Sequence, residues 1–223
     1  MRNLFKKAVS RLKWILSGEA GLPTTLVPTE YVAVLLELTS KAVQVPGDIL
    51  EVGVYKGGTL YRMARHLAHR HSAEFAGRSL IGIDTFTGHP YINAEKDAAH
   101  HFKGRFSDTS LETVRRHFDR FPFVRIIQGE CGEAFRKLPE AQRFCLANLD
   151  VDIFDSYVQA VEYVYPRLSP GGIILCDEYQ GYGHKEWVDR FFQDKPVTIT
   201  PRTGRTPGAD YGVIIFKHPL PTA

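Results

Sequence analysis

Four acidic residues, Asp150, Asp152, Asp177 and Glu178, stand at the ends of two apolar runs, Phe144 to Leu149 and Gly172 to Cys176. Short apolar runs bounded by polar residues read as buried strands. In an open parallel sheet the carboxyl ends of neighbouring strands line one crevice, so acids from two strand ends can meet around a small hard cation. Oxygen ligands such as Asp150, Asp177 and Glu178 suit Mg²⁺. The plainer reading is that these acids cap the helices that follow the strands.

Either reading needs the sheet. Glu30 to Val43 has helical apolar spacing at Tyr31, Val34, Leu35 and Leu38, with Thr29 as its expected cap, and Pro46-Gly47 then break the chain. Ile49 to Val54 reads as a strand, Tyr61 to Arg70 as a helix, and Ser79 to Ile83 as a second strand ending at Asp84. Leu111 to Phe118 is helical in pattern, Val124 to Ile127 is a strand, and Gly132 to Leu138 a short helix. Phe144 to Leu149 and Gly172 to Cys176 are further strands, separated by a helix over Val158 to Leu168 and a turn at Ser169-Pro-Gly-Gly172. Val197 to Thr200 and Val213 to Phe216 pair as an antiparallel hairpin across a polar turn with Gly204, Pro207 and Gly208.

Alternating strands and helices predict an α/β fold, a Rossmann-like doubly wound sheet that is mostly parallel with a C-terminal antiparallel hairpin and N-terminal helices. One domain is expected, with residues 47–218 as the core and residues 1–46 as a helical cap on it. The stretch from Thr85 to about Asp108 has no clear periodicity, and long loops in compact domains are often functional.

The first strand runs into Glu51-Val-Gly53-Val-Tyr55-Lys-Gly57-Gly58-Thr59, a glycine loop opening a helix, where a ligand can approach the backbone closely. Asp84 ends the next strand, placed to accept hydrogen bonds from ribose hydroxyls. The loop lacks the G-x-G-x-x-G dinucleotide pattern, and no G-x-x-x-x-G-K-[ST] phosphate loop exists in the chain. A nucleoside-like cofactor without phosphates, carrying a positive centre, suits the acidic surroundings of Glu51 and Asp84.

These residues resemble a known family. Glu51 to Arg65, with Asp84 and the five-strand order, is similar to class I S-adenosylmethionine-dependent methyltransferases, with a cofactor motif close to that of catechol O-methyltransferases. Leu149-Asp150-Val-Asp152-Ile-Phe-Asp-Ser156, Tyr165-Pro-Arg-Leu-Ser-Pro-Gly-Gly172, Asp177-Glu178-Tyr179 and Lys185-Glu-Trp-Val-Asp189 resemble the macrocin O-methyltransferase family of sugar-methylating enzymes. The resemblance implies S-adenosylmethionine as cofactor, with Gly53, Tyr55 and Thr59 beside its methionine end, Asp84 on its ribose, and Gly129 and Cys131 flanking adenine. It implies an acceptor hydroxyl on a sugar or small natural product, and Asp150, Asp177 and Glu178 as metal ligands. Glu178 replaces the usual second aspartate, and Glu130-Cys131 replaces the usual aromatic residues after Gly129.

Methyl transfer to a hydroxyl needs a proton acceptor, and a bound Mg²⁺ would lower the hydroxyl pKa and orient its oxygen. Catechol-type enzymes place a lysine shortly after the first metal aspartate, where this chain has Ile153. The resemblance instead implies a loop histidine: His101 is the expected base, with Asp150 as second choice. Rival readings are a metal-dependent glycosyltransferase using Asp150-Val-Asp152, and a cofactor-binding protein without activity.

Twenty-eight basic against 25 acidic residues leave a formal charge of +3, which argues against a nucleic-acid partner. Three widely spaced cysteines fit a reduced, cytoplasmic protein. No apolar run approaches the roughly 18 residues of a membrane span. Residues 1–17 interleave Arg2, Lys6, Lys7, Arg11 and Lys13 with Leu4, Phe5, Val9, Leu12, Ile15 and Leu16. Such a basic amphipathic helix docks on its own domain or on a partner subunit, as in a homodimer, or lies weakly on an anionic membrane surface.

Overall fold

The computed structural model describes residues 22–180, 183–203 and 210–219. The expected helix over residues 1–17, with the dimer and membrane contacts assigned to it, lies outside these residues, as do Gly204, Pro207 and Gly208. In chain order the elements are α1 (Thr29–Ala42), β1 (Asp48–Val52), α2 (Gly58–Arg70), β2 (Leu80–Asp84), α3 (Leu111–Arg116), β3 (Val124–Gln128), α4 (Cys131–Phe135), β4 (Phe144–Leu149), α5 (Phe154–Arg167), β5 (Leu168–Cys176), α6 (His184–Phe192), β6 (Val197–Thr203) and β7 (Asp210–Lys217).

The seven strands make one sheet in the order β3-β2-β1-β4-β5-β7-β6. Strands β1 to β5 pair in parallel, and β7 runs antiparallel between β5 and β6. The chain winds outward from β1 to β3, then returns to β4 on the other side of β1. The switch point therefore lies between β1 and β4, where the carboxyl ends open a crevice.

Alternation along the strands explains why both faces are covered. Ile49, Leu80, Ile173 and Leu175 pack with Leu35, Leu60 and Met63 of α1 and α2 on one face. Leu50, Ile81, Ile174 and Cys176 pack with Phe135, Tyr157, Val161 and Val188 of α4, α5 and α6 on the other. Each such side chain taken fully out of water contributes about 1.5–3 kcal/mol, so a strand that is apolar at every position is stable only between two helical layers. Among the described residues no helix is long and apolar enough to cross a membrane.

Local differences from the sequence expectations have identifiable causes. Thr29 is the first residue of α1; the N-cap is Pro28, and no side chain caps this end. Helix α2 begins at Gly58, and α4 spans only Cys131–Phe135. Helix α5 starts four residues earlier than expected, at Phe154, because Asp97 from the long loop accepts a hydrogen bond from the Phe154 N–H at 2.7 Å. Strand β5 already begins at Leu168, with an irregular register against β4 that absorbs Ser169 to Gly172. Between β5 and the hairpin lies α6, which the sequence reading left unassigned; Val188 and Phe192 bury its apolar face against the sheet.

Candidate active site

The expected cofactor loop and the acidic crevice meet at the switch point. Gly53, Tyr55, Thr59, Asp84, Gly129 and Cys131 line one cavity, and Asp150, Asp152 and Asp177 line the same one. Gly53 shows why they join. It adopts φ +94°, and a Cβ there would lie 1.6 Å from the carbonyl oxygen of Asp150, so only glycine lets the two strand ends touch.

Asp84 is fixed by its own loop: Oδ2 accepts from the Tyr55 N–H and Oδ1 from the Phe86 N–H, both at 2.7 Å. Burial raises its pKa, and these two backbone donors oppose the rise. Each oxygen retains acceptor capacity for a ribose hydroxyl. At the far end of the cavity burial pushes the Cys131 thiol up to about 12, so it presents a neutral, polarisable surface. The segment Thr24 to Pro28 forms another wall. Its backbone packs so closely on Gly58 that a Cβ there would lie 2.2 Å from the Thr24 carbonyl oxygen.

Glu51 is not on the wall. It is fully buried beneath the loop, in a chain of hydrogen bonds that runs from the Tyr31 hydroxyl to Asn148 Oδ1 at 2.6 Å, then from Asn148 Nδ2 to Glu51 Oε1 at 2.8 Å. Glu51 Oε2 has no hydrogen-bond partner. Burial raises this carboxyl from 4.5 to about 7, against hydrogen bonds from Thr59 and Asn148. Glu51, expected beside the cofactor, is off the cavity wall and supports the loop from behind.

The acids crowd as expected. Burial lifts the Asp150 pKa well above the usual carboxylate range, and the charges of Asp177, Asp152, Glu51 and Glu178 add to the rise. Burial and Asp152 raise Asp177 to about 6, with Arg202 opposing. Burial, Asp177 and Asp152 raise Glu178 to about 7, although Glu178 does not line the cavity. The expected three-ligand cage is not assembled: among the described residues no three His, Cys, Asp or Glu side chains are grouped to hold a metal ion. As hard oxygen donors carrying excess negative charge, Asp150, Asp177 and Glu178 nonetheless fit a hard divalent cation chemically.

The expected base is also displaced. His101 is not on the cavity wall; His89 is, and its Nε2 lies 3.0 Å from His101 Nδ1 and 4.0 Å from Asp152 Oδ2. Burial, then the charges of His101 and Arg105, lower His89 to about 4, so its imidazole is neutral at neutral pH. Asp152 has a left-handed backbone, φ +59°, rare for a non-glycine residue. Its carboxyl is raised by burial and lowered by Arg105 and His100. Sequence reasoning missed His89, Tyr31, Asn148 and Arg202. Of these only Asn148 carried a local signal, as an amide inside the apolar run Phe-Cys-Leu-Ala-Asn-Leu, which must find buried partners.

A family model described as Macrocin-O-methyltransferase (TylF) matches residues 22–201. The 8-demethyl-8-(2,3-dimethoxy-alpha-L-rhamnosyl)-tetracenomycin-C 4'-O-methyltransferase of Streptomyces olivaceus is 33% identical over 146 residues, 60% of this chain and 54% of that protein. Mycinamicin III 3''-O-methyltransferase of Micromonospora griseorubida is 31% identical over 146 residues, 60% of this chain and 56% of that protein. The chain spans about half the length of these curated relatives. In fold it is similar to the O-methyltransferase NovP, with a TM-score of 0.72 at 23% identity over 87% of this chain and 82% of that one. The calicheamicin methyltransferase CalS11 gives 0.68 at 21% identity over 95% and 91%. The matched family segment takes in the glycine loop, Asp84 and Asp150-Val-Asp152 together, so the Asp-x-Asp pattern belongs here to a methyltransferase fold and not to a glycosyltransferase. With that segment covering most of its length, the chain belongs to the macrocin O-methyltransferase family.

Proposed function

We propose that this protein is an S-adenosylmethionine-dependent O-methyltransferase of the cytoplasm, whose acceptor is a hydroxyl of a sugar or small natural product. The observation that carries this reading is that one cavity holds both the glycine loop with Asp84 and the acidic crevice, joined where Gly53 abuts the Asp150 carbonyl. A relative named for O-methylation of a rhamnosyl tetracenomycin supports a sugar-bearing acceptor.

Gly53, Tyr55 and Thr59 would border the methionine end of the cofactor, Asp84 its ribose, and Gly129 with Cys131 its adenine. S-adenosylmethionine, when bound, supplies a methyl group on a sulfonium sulfur, open to displacement by an acceptor oxygen. Asp152, which lines the cavity beside neutral His89 and whose carboxyl pKa burial raises, would take the hydroxyl proton. Neutral His89 stands beside it, with His101 behind. Mg²⁺, when held by Asp150, Asp177 and Glu178, supplies Lewis-acid stabilisation of negative charge on an oxygen.

Titration calorimetry with S-adenosylhomocysteine tests the reading. Binding is expected in the wild type and at least about tenfold weaker in Asp84→Ala, the loss of charge-assisted hydrogen bonds worth about 1.5–3 kcal/mol. A wild type that ignores S-adenosylhomocysteine but binds a nucleoside diphosphate sugar refutes it. Transfer of labelled methyl to a panel of hydroxylated acceptors then identifies the substrate.

A further inference from the structure

Tyr91, Ser156 and Gln159 link the long loop to the end of the cavity assigned to adenine. Ser156 and Gln159 stand three residues apart on α5 and so share one face of it. Ser156 lines the cavity together with Gly129, Glu130 and Cys131. Its carbonyl accepts from the Cys131 thiol at 3.8 Å, which fixes it against the start of α4. Gln159 lies across the same helix start, since a Cβ on Gly132 would meet its Oε1 at 3.4 Å. From the 85–108 loop, Tyr91 brings its hydroxyl 3.0 Å from Ser156 Oγ and 3.1 Å from Gln159 Nε2.

The direction of the protons in this chain follows from its members. An amide nitrogen only donates, so Gln159 gives a proton to the Tyr91 oxygen. A phenol carries one proton, and among the described residues Ser156 Oγ is the acceptor within its reach. With Tyr91 donating, Ser156 keeps its own hydroxyl proton, for which the described residues supply no acceptor. The reverse order would strand a proton on Tyr91, which is off the cavity wall; this order leaves it on Ser156, which is on the wall and buried. A ligand acceptor at that point completes the chain, and each bond in it polarises the next.

We propose that Ser156 is a specificity-determining residue that donates a hydrogen bond to a ring nitrogen of the cofactor's adenine, with Tyr91 and Gln159 as the positioning residues that aim it. This role rests on the proposed function, which puts adenine beside Gly129 and Cys131. The ring nitrogens of adenine are acceptors and its exocyclic amine is a donor, so a hydroxyl held as a donor selects a ring nitrogen. Tyr91 belongs to the same loop as His89, and Pro90 between them lines the cavity. Recognition of the base and placement of the loop beside the acidic crevice are thereby coupled.

Calorimetry on the full chain compares S-adenosylhomocysteine with its 1-deaza, 3-deaza and 7-deaza analogues, in wild type, Ser156→Ala, Tyr91→Phe and the double variant. Each analogue replaces one ring nitrogen by C–H, which cannot accept a hydrogen bond. Wild type is expected to bind at least one analogue about tenfold more weakly than S-adenosylhomocysteine, because a hydroxyl placed to donate is left unpaired. Ser156→Ala is expected to bind S-adenosylhomocysteine about five- to tenfold more weakly and to hold one discriminated analogue within about twofold of it. Tyr91→Phe is expected to cost about two- to threefold alone and nothing further in the Ser156→Ala background, since the tyrosine acts through the serine. General damage to the fold would weaken all four ligands by one factor and leave their ratios intact, so it does not mimic this outcome. Unchanged S-adenosylhomocysteine affinity in Ser156→Ala, weaker affinity with every discrimination intact, or a wild type indifferent to all three analogues overturns the role of Ser156; wild-type binding then leaves the methyltransferase reading standing. Additive losses in the double variant overturn the part given to Tyr91. A wild type that fails to bind S-adenosylhomocysteine overturns this role together with the reading on which it rests.

Discussion

Replacing Glu51 by glutamine is expected to stabilise the protein above neutral pH, and the size of the effect follows from where the carboxyl sits. Glu51 is fully buried, accepts from Asn148 through Oε1, and leaves Oε2 without a partner. Its pKa rises from 4.5 to about 7, chiefly because burial disfavours the charged form. At about 1.36 kcal/mol per pH unit, ionising it in the folded state costs about 3 kcal/mol more than in the unfolded chain. The folded state holds the proton more tightly, so the contribution of Glu51 to stability is fully present below about pH 4.5. It is lost as pH rises through about 7.

Glutamine resembles the protonated acid in shape and charge, so Glu51→Gln should match the wild type below about pH 4.5, exceed it by roughly 1 kcal/mol near pH 5 and by about 3 kcal/mol at pH 8. Urea unfolding at half-unit steps from pH 5 to 8.5 measures this. With a slope of about 2–3 kcal/mol per molar urea, the midpoint difference grows to roughly 1 M. Asp177 and Glu178 also titrate in this window, at about 6 and 7, but they are common to both proteins, and the difference between the two curves reports Glu51 together with Asp150, whose pKa the Glu51 charge helps raise. Parallel curves across the whole range would show that Glu51 ionises without cost and would sink the buried-carboxyl argument.

Arg78 donates from Nε to the Gly47 carbonyl at 2.5 Å, from Nη1 to that of Val43 at 3.0 Å and from Nη2 to that of Val45 at 2.9 Å, fastening the link between α1 and β1. Arg78→Ala should destabilise by about 2–4 kcal/mol in denaturant unfolding, and Arg78→Lys should recover less than half, since an ammonium cannot reproduce the fork. Asp97 accepts from the Phe154 and Asn93 N–H groups, both at 2.7 Å. Asp97→Ala should cost about 2–3 kcal/mol and speed proteolysis within residues 85–108, while leaving S-adenosylhomocysteine affinity within about twofold. Gly53→Ala should abolish S-adenosylhomocysteine binding in calorimetry, because the Asp150 carbonyl occupies the place of the new Cβ; retained affinity would contradict the close approach of the two strand ends.

The parts of this molecule that announce themselves in sequence are those governed by periodicity and by glycine. The strand runs Phe144 to Leu149 and Val124 to Ile127 lie within their observed strands because they are apolar and short. The loop Gly53 to Thr59 was legible because its glycines have no role in a helix or strand interior. What stayed hidden depends on contacts between segments far apart in the chain. Nothing local in Asp97 says that it will cap α5, 57 positions away. Nothing in Arg202 says that its guanidinium will lie 4.8 Å from the centroid of the Tyr31 ring. His89 and His101 look equivalent as loop histidines, and only packing decides that His89 is buried on the cavity wall with His101 behind it. Helix α6 is a different case: Trp187, Val188, Phe191 and Phe192 recur at helical spacing within its nine residues, so its apolar face is itself legible in the sequence.

Backbone strain gives an independent sign of where this fold does its work. Among the described residues, the non-glycine positions with left-handed backbone are Tyr55, Phe86, Phe106 and Asp152, and three of them, Tyr55, Phe106 and Asp152, line the same cavity. A left-handed residue of this kind costs on the order of 1–2 kcal/mol and persists only where its surroundings overdetermine it. Those surroundings are visible. The Tyr55 and Phe106 rings meet edge to face at 5.5 Å, and His89 packs on Phe106 at 5.3 Å. The Tyr55 hydroxyl donates to Asp108 at 2.8 Å, Lys56 donates to the same carboxylate at 2.5 Å, and Thr109 donates to the Tyr55 carbonyl at 2.9 Å. The Lys56 and Asp108 side chains are exposed enough that their ion pair contributes little to global stability. What the set of contacts does is local: it ties the end of the 85–108 loop to the glycine loop, so the wall bearing His89 and the floor bearing Gly53 are held in one register. Strained residues at both ends of that tie place the rigidity where a methyl donor and a hydroxyl would have to be aligned, and this is the arrangement that positional catalysis requires.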